Sequence, residues 1–66
     1  MKPLWEALPE LPWGHIGWRM GDGESYYMRF FHWFKTLSPA ERTAYITAHP
    51  EPPDWDGWYQ MVLDQL

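Results

Sequence analysis

The stretch Ser38-Pro39-Ala40-Glu41 is the clearest structural signal in the chain. Serine is a preferred N-cap residue, proline is well tolerated at the first helical position, and a glutamate three residues after the serine completes a capping box. We therefore predict a helix over residues 39–48 that begins directly after the serine. Three prolines between residues 50 and 53 follow this helix and prevent its continuation.

The segment after these prolines predicts a further helix, over residues 55–66. Its N-cap would be Asp54, and Asp56 in the first turn would interact favourably with the helix dipole. Apolar residues recur there with the spacing of a single helical face, at positions Trp55, Trp58, Tyr59, Val62 and Leu66. We expect Trp58 and Val62 to be buried and the polar residues Gln60 and Asp64, on the opposite face, to be exposed.

The segment before Ser38 predicts the most apolar helix of the chain, over residues 24–36, with Asp22 or Ser25 as its N-cap. Between Tyr26 and Leu37, eight of twelve residues are apolar or aromatic. Its polar residues form only a narrow stripe, made of Arg29, His32, Lys35 and Thr36. A helix that is apolar nearly all round is normally buried on most sides. Either the rest of this short chain covers it, or part of it forms an exposed patch that another molecule covers.

Residues 1–23 have a different composition, with three prolines and four of the five glycines. A short helix is possible at residues 3–8, whereas Pro9 and Pro12 favour extended backbone in the residues that precede them. If residues 13–20 are extended, Ile16, Trp18 and Met20 face one side of the chain. We interpret residues 1–23 as an irregular aromatic arm that packs on the helices.

These elements predict a single mainly all-α domain over residues 1–66, with three helices and the N-terminal arm. A chain shorter than about 70–80 residues rarely obtains more than about 3–5 kcal/mol of stability from its core alone. This chain has no cysteine for disulfide bonds, but it has six Trp, four Tyr and three Phe. Most of these rings are therefore expected to serve the core.

The charge distribution argues against nucleic acid as a partner. The net charge is −4, and residues 50–66 carry four acidic groups and no Lys or Arg. Such a chain lacks the basic patch that binds phosphate backbones. No apolar run is long enough to span a bilayer, and the first residues do not have the charged-then-apolar pattern of a signal peptide, so we do not expect a membrane partner. With Met1 at the start of the sequence, we expect a cytoplasmic location.

No motif in the sequence predicts catalysis, a cofactor or a metal site. The histidines at positions 15, 32 and 49 lack the spacing of helical metal ligands. The segment 54–57 does not match a calcium loop, and Gly21-Asp22-Gly23 lacks the third glycine of a dinucleotide fingerprint. The two serines lack a distinctive catalytic arrangement, and 66 residues leave little room for a substrate cavity with a rigid surround. We therefore do not expect an enzyme.

The leading functional hypothesis is a small soluble protein–protein interaction module, an accessory or inhibitory protein that docks on a larger partner. Trp, Tyr and Arg dominate binding hot spots. The candidate interaction surface consists of Tyr26, Phe30 and Trp33 on one stripe of the apolar helix, with Arg29 and Lys35 at its rim. This surface would bind another protein or a second copy of the chain.

The alternative hypothesis is a small-ligand module in which exposed tryptophans form a platform for a sugar or a cage for a cationic ammonium group. The candidate rings are Trp13, Trp18, Trp55 and Trp58, and Asp54 or Asp56 would supply a polar contact. A rigid pocket with two or more rings exposed at one point would favour this alternative. A broad flat patch on the apolar helix would favour the interaction module.

Overall fold

The computed structural model describes all residues, 1–66, and confirms a mainly α-helical fold without β-strands. It contains four helices: α1 (Leu4–Ala7), α2 (Gly21–Thr36), α3 (Pro39–Ala48) and α4 (Trp58–Asp64). Two short 3-10 turns, Ile16–Trp18 and Pro53–Trp55, interrupt the connecting segments. The three longer helices and the short helix in the arm were all predicted, but the boundaries of α2 and α4 differ from prediction.

The predicted capping box is present at the start of α3. The Glu41 backbone N–H donates to Oγ of Ser38 at 3.1 Å, and the Ser38 backbone N–H donates to Oε1 of Glu41 at 2.8 Å. The side chain of Arg42 joins α3 to α2, because its guanidinium donates to the carbonyl oxygens of Phe34 and Lys35 at the end of α2. The turn between α2 and α3 is thus stabilised by the capping box at the start of α3 and by the bonds from Arg42 to the end of α2.

Replacement of Ser38 by alanine is expected to lower the free energy of unfolding by about 1 kcal/mol through loss of this cap. The hydrogen bonds from Ser38 hold the pKa of the Glu41 carboxyl below its ordinary value. The stabilisation by the ionised carboxylate is therefore present above the ordinary glutamate pKa and is lost as pH falls through the lowered value. Chemical denaturation of S38A at neutral and acidic pH measures both effects. Ser25→Ala, at an exposed helical serine, is the control, and equal stability of S38A and the parent would contradict a working capping box.

Helix α2 begins at Gly21, three residues before the predicted start. Neither Asp22 nor Ser25 caps it; the N-cap is Met20, whose side chain makes no capping hydrogen bond. Gly21 has a φ of +68°, a conformation that glycine adopts readily. The first turn gains support from a contact remote in sequence, since Gly23 packs directly against the backbone of Gly17.

Helix α4 spans Trp58–Asp64 and is shorter than the predicted range of 55–66, because Gly57 has a φ of +84° and separates it from the preceding turn. The cap is supplied by Glu51 and not by Asp54. The carboxylate of Glu51 accepts hydrogen bonds from the backbone N–H groups of Gly57 at 3.1 Å and Tyr59 at 2.6 Å. The predicted faces are confirmed for Trp58 and Val62, which are buried, and for the polar positions 60 and 64, which are exposed. The placement of Leu66 on the apolar face is wrong, because this residue lies beyond the end of the helix and is 38% exposed.

Residues 13–20 do not form the extended segment that the sequence suggested. The His15 ring accepts a hydrogen bond from the Gly17 backbone N–H at 2.9 Å, and this local contact favours a 3-10 turn over an extended chain. As a result only Trp18 is buried, whereas Ile16 and Met20 are 63% and 57% exposed.

The core is mainly aromatic. Its eight buried members are Leu4, Trp18, Phe30, Phe34, Trp55, Trp58, Tyr59 and Val62. Five of the six tryptophans form one connected cluster in which neighbouring ring centroids lie 5.3–6.4 Å apart, and these are Trp5, Trp13, Trp18, Trp55 and Trp58. The sixth, Trp33, packs instead against Phe30, Phe34 and Tyr45. Rings from the arm therefore join the two ends of the chain.

Candidate binding surface

The structure does not form the continuous exposed ring stripe that the sequence suggested on α2. Phe30 is completely buried, so its assignment to the interaction surface is wrong. Tyr26 and Trp33 are partly buried, and only Arg29 and Lys35 of the five proposed residues are exposed. Among the apolar residues between Tyr26 and Leu37, Met28 alone is exposed, at 54%.

Two other parts of the chain cover the predicted stripe. At one end the arm lies against α2, where the hydroxyl of Tyr26 donates to the carbonyl oxygen of Lys2 at 2.6 Å. At the other end α3 packs against α2, and Tyr45 lies edge-on to Trp33 with 5.2 Å between the ring centroids. The guanidinium of Arg29 lies 5.5 Å from the centre of the Tyr26 ring. The outer face of α2 is consequently polar apart from Met28.

A cleft of about 280 Å³ opens between the arm, α2 and α4. The arm contributes most of its lining, α2 contributes Tyr27 and α4 contributes Met61. The full set of lining residues is Trp13, Gly14, His15, Trp18, Arg19, Tyr27 and Met61. Trp13 and Tyr27 are both partly exposed, and their rings meet edge to face with centroids 5.8 Å apart. Two rings are therefore accessible at one point.

The arm side of the cleft is held in place by buried contacts. The indole N–H of Trp18 donates to the carbonyl oxygens of Leu11 at 3.1 Å and Pro12 at 3.0 Å, and this ring is only 4% exposed. The close approach of Gly17 to Gly23 presses the same segment against α2. The geometry of the cleft thus depends on the junction between the 3-10 turn and the first turn of α2.

Two nitrogen-bearing side chains give the cleft its polar character. Nδ1 of His15 accepts the hydrogen bond from Gly17, so the neutral ring carries its proton on Nε2 and presents a donor there. Arg19 is exposed and has no ion-pair partner. The one contact between a basic side chain and a carboxylate within 4 Å involves other residues, since Nδ1 of His49 lies 3.3 Å from Oε2 of Glu6.

Tyr27 and Trp13 are the partly exposed lining residues that combine an aromatic ring with a polar group. Burial raises the pKa of the Tyr27 hydroxyl above the ordinary tyrosine value, so this hydroxyl is neutral throughout the physiological pH range. No carboxylate, serine or cysteine lines the cleft. The arrangement therefore offers aromatic surface, a permanent positive charge and a neutral donor. This is a combination suited to binding an apolar group together with an anionic one.

Of the four tryptophans that were candidates for an aromatic platform, only Trp13 is available at the cleft. Trp18, Trp55 and Trp58 are 2–4% exposed, so Trp13 is the only one of the four that reaches the surface substantially. Its aromatic partner at the cleft is Tyr27, and the polar contacts come from His15 and Arg19, not from Asp54 or Asp56. The sequence signal that could have indicated a turn at this place is the pair of glycines, Gly14 and Gly17, on either side of His15 and Ile16.

Metal ligation and membrane crossing are the two other properties on which the structure bears. No three His, Asp or Glu side chains are grouped so that they could hold a metal ion. The three histidines lie in different surroundings. His15 lines the cleft, His32 is exposed on α2, and the ring of His49 lies 4.5 Å from that of Tyr45, centroid to centroid. None of the four helices has the length and apolar character that a membrane crossing requires.

Comparison with known proteins adds no relative from which a function could be transferred. No protein-family model matches the chain, and no curated protein or solved structure is significantly similar to it.

Proposed function

We propose that this protein is a small protein-binding module that contacts its partner through the surface around the cleft, in an accessory or inhibitory role. The observation that carries the proposal is the conjunction of two accessible rings, Trp13 and Tyr27, with the unpaired Arg19. Tryptophan, tyrosine and arginine are the residue types most enriched in binding hot spots. Ile16 and Met20 are exposed apolar residues that directly follow the lining residues His15 and Arg19 in the chain.

The volume of the cleft suits one side chain of a partner or a small ligand. Pockets for small molecules usually enclose about 300–1,000 Å³. The volume of about 280 Å³ lies at the lower edge of that range, so the cleft would accept the anchor residue of a protein partner or a ligand of similar size. A cationic ammonium ligand is disfavoured in particular, because the positive charge of Arg19 would oppose its entry.

A small-ligand module is the second candidate function. The cleft in which Trp13 and Tyr27 are both partly exposed favours it, whereas the flat patch on α2 that would favour an interaction module is not formed. A sugar would stack on Trp13 or Tyr27 and accept hydrogen bonds from the two nitrogen-bearing side chains. The absence of a carboxylate in the lining weighs against it, since the exposed hydroxyls of a sugar require acceptors as well as donors.

A comparison of two double variants tests the proposed surface. I16S/R19S removes one exposed apolar residue and one arginine beside the cleft, and M28S/R29S removes the same two kinds of side chain from the outer face of α2. All four side chains are exposed, so both variants should fold, which circular dichroism and thermal melting check. Proteins that co-purify with the parent chain are quantified by mass spectrometry, and their affinities are then measured individually.

We expect a partner that is retained by the parent and by M28S/R29S but weakened about tenfold or more by I16S/R19S, which corresponds to about 1.4 kcal/mol. A partner lost only from M28S/R29S would place the interface on the outer face of α2 and contradict the proposal. Equal retention by all three proteins would show that the cleft surface does not bind the partner.

A further inference from the structure

We propose that the cleft recognises a partner segment in which an apolar side chain lies next to a single Asp or Glu carboxylate. This inference rests on the proposed binding function and specifies the chemistry of the partner. It follows from three features of the cleft: its charge, its second donor and its aromatic wall.

Arg19 is the first feature, because its charge is available to a partner. Of the other two arginines, Arg42 donates to backbone carbonyls at the end of α2 and Arg29 lies over the ring of Tyr26. Arg19 makes neither kind of side-chain contact and has no carboxylate within ion-pair distance. Its planar guanidinium presents parallel N–H donors that fit the two oxygens of a carboxylate.

His15 supplies the second donor at the same site. Because Nδ1 accepts the hydrogen bond from the Gly17 backbone N–H, the neutral ring carries its proton on Nε2 and donates from there. The two side chains together offer donors only, and the lining contains no carboxylate that would repel an anion or attract a cation. The polar part of the cleft therefore selects an anionic group.

The aromatic wall determines what accompanies the anion. Trp13, Tyr27 and Met61 provide a surface for one apolar side chain, within a volume of about 280 Å³. The chain as a whole carries a net charge of −4, so a long acidic tract would be repelled. A single carboxylate is affected less, since charges beyond about 8 Å are largely screened at physiological ionic strength. The favoured occupant is thus one acidic residue beside an apolar one.

Nuclear magnetic resonance titration of the ¹⁵N-labelled full chain tests this inference with defined probes. The probes are the blocked dipeptides acetyl-Phe-Glu-amide and acetyl-Glu-Phe-amide, their Gln counterparts, and 3-phenylpropionate as a free carboxylate. The readouts are the indole N–H of Trp13 and the backbone N–H groups of Gly14 and Gly17. Arg19→Gln is compared with Arg29→Gln, a matched change at an exposed arginine outside the cleft.

We expect at least one Glu dipeptide to shift these three signals and to bind about tenfold more tightly than its Gln counterpart, as a charge-assisted hydrogen bond implies. R19Q should abolish this preference and R29Q should preserve it.

Equal binding of Glu and Gln dipeptides in the cleft would overturn the carboxylate preference while leaving the binding module intact. No shift at the cleft with any probe would also overturn the inference, and the double variants above would still test the proposed function separately. Binding of 3-phenylpropionate as tight as that of the best dipeptide would overturn the assignment to a peptide and indicate a free small ligand.

Discussion

Gly23→Ala is expected to destabilise the protein by about 1–3 kcal/mol, although alanine is the better helix former. In an exposed helix interior the same substitution would stabilise by about 1 kcal/mol. Here a Cβ atom on residue 23 would overlap the carbonyl oxygen of Gly17 and lie 2.7 Å from its carbonyl carbon. Both neighbouring atoms belong to the backbone, so the arm would have to move away from α2.

Chemical denaturation of G23A beside G14A measures this effect. Gly14 is a suitable control because a Cβ atom there would meet no atom within 4 Å and the residue does not have a positive φ. We expect G14A to stay within about 0.5 kcal/mol of the parent, as is usual for surface substitutions. A melting temperature of G23A at or above that of the parent would show that the arm does not pack against α2 through Gly17.

Trp58→Ala is expected to have the largest effect on stability, a loss of about 3–5 kcal/mol. Its ring is 2% exposed and lies within 5.4–6.4 Å, centroid to centroid, of six other rings: Trp5, Trp13, Tyr27, Phe30, Trp55 and Tyr59. It therefore joins the arm, α2 and the turn that precedes α4. A loss of this size is comparable to the whole stability of many small domains, so W58A should be largely unfolded.

Two further variants separate the size of the ring from its position. Gln60→Ala, at an exposed residue on the same helix, should change the free energy of unfolding little. Trp58→Phe should cost less than W58A, because the indole N–H has no hydrogen-bond acceptor that the change would leave unpaired. If W58A unfolds at the same denaturant concentration as the parent, the aromatic core is not the main source of stability.

The parts of the fold that the sequence predicted well depend on local contacts. The capping box at Ser38 requires only residues within one helical turn, and the two faces of α4 follow from the periodicity of a single helix. The first turn of α2 was missed because its support comes from Gly17, which belongs to another element. Glu51 was missed as the cap of α4 for a similar reason, since it lies six positions before Gly57 in the sequence.

The candidate site was harder to predict than the fold because α2 is apolar on several sides. Phe30 and Phe31 are adjacent in the sequence and similar in chemistry, but Phe30 is buried and Phe31 is partly exposed. Which stripe of α2 faces inward depends on where the arm and α3 lie. The spacing of apolar residues within α2 does not predict those positions. The cleft likewise combines residues from the arm, α2 and α4, so its composition emerges only from their packing.

The tryptophan cluster has a consequence for the optical properties of the protein. Indole rings with centroids 5.3–6.4 Å apart are close enough for their electronic transitions to couple, and such coupling contributes to circular dichroism at the wavelengths used to estimate helix content. The spectrum of this protein is therefore not a simple measure of its helices. Trp33, which contacts no other indole, reports separately on the packing between α2 and α3. Detachment of the arm would weaken the coupling between the indoles, whereas separation of α2 from α3 would leave it in place.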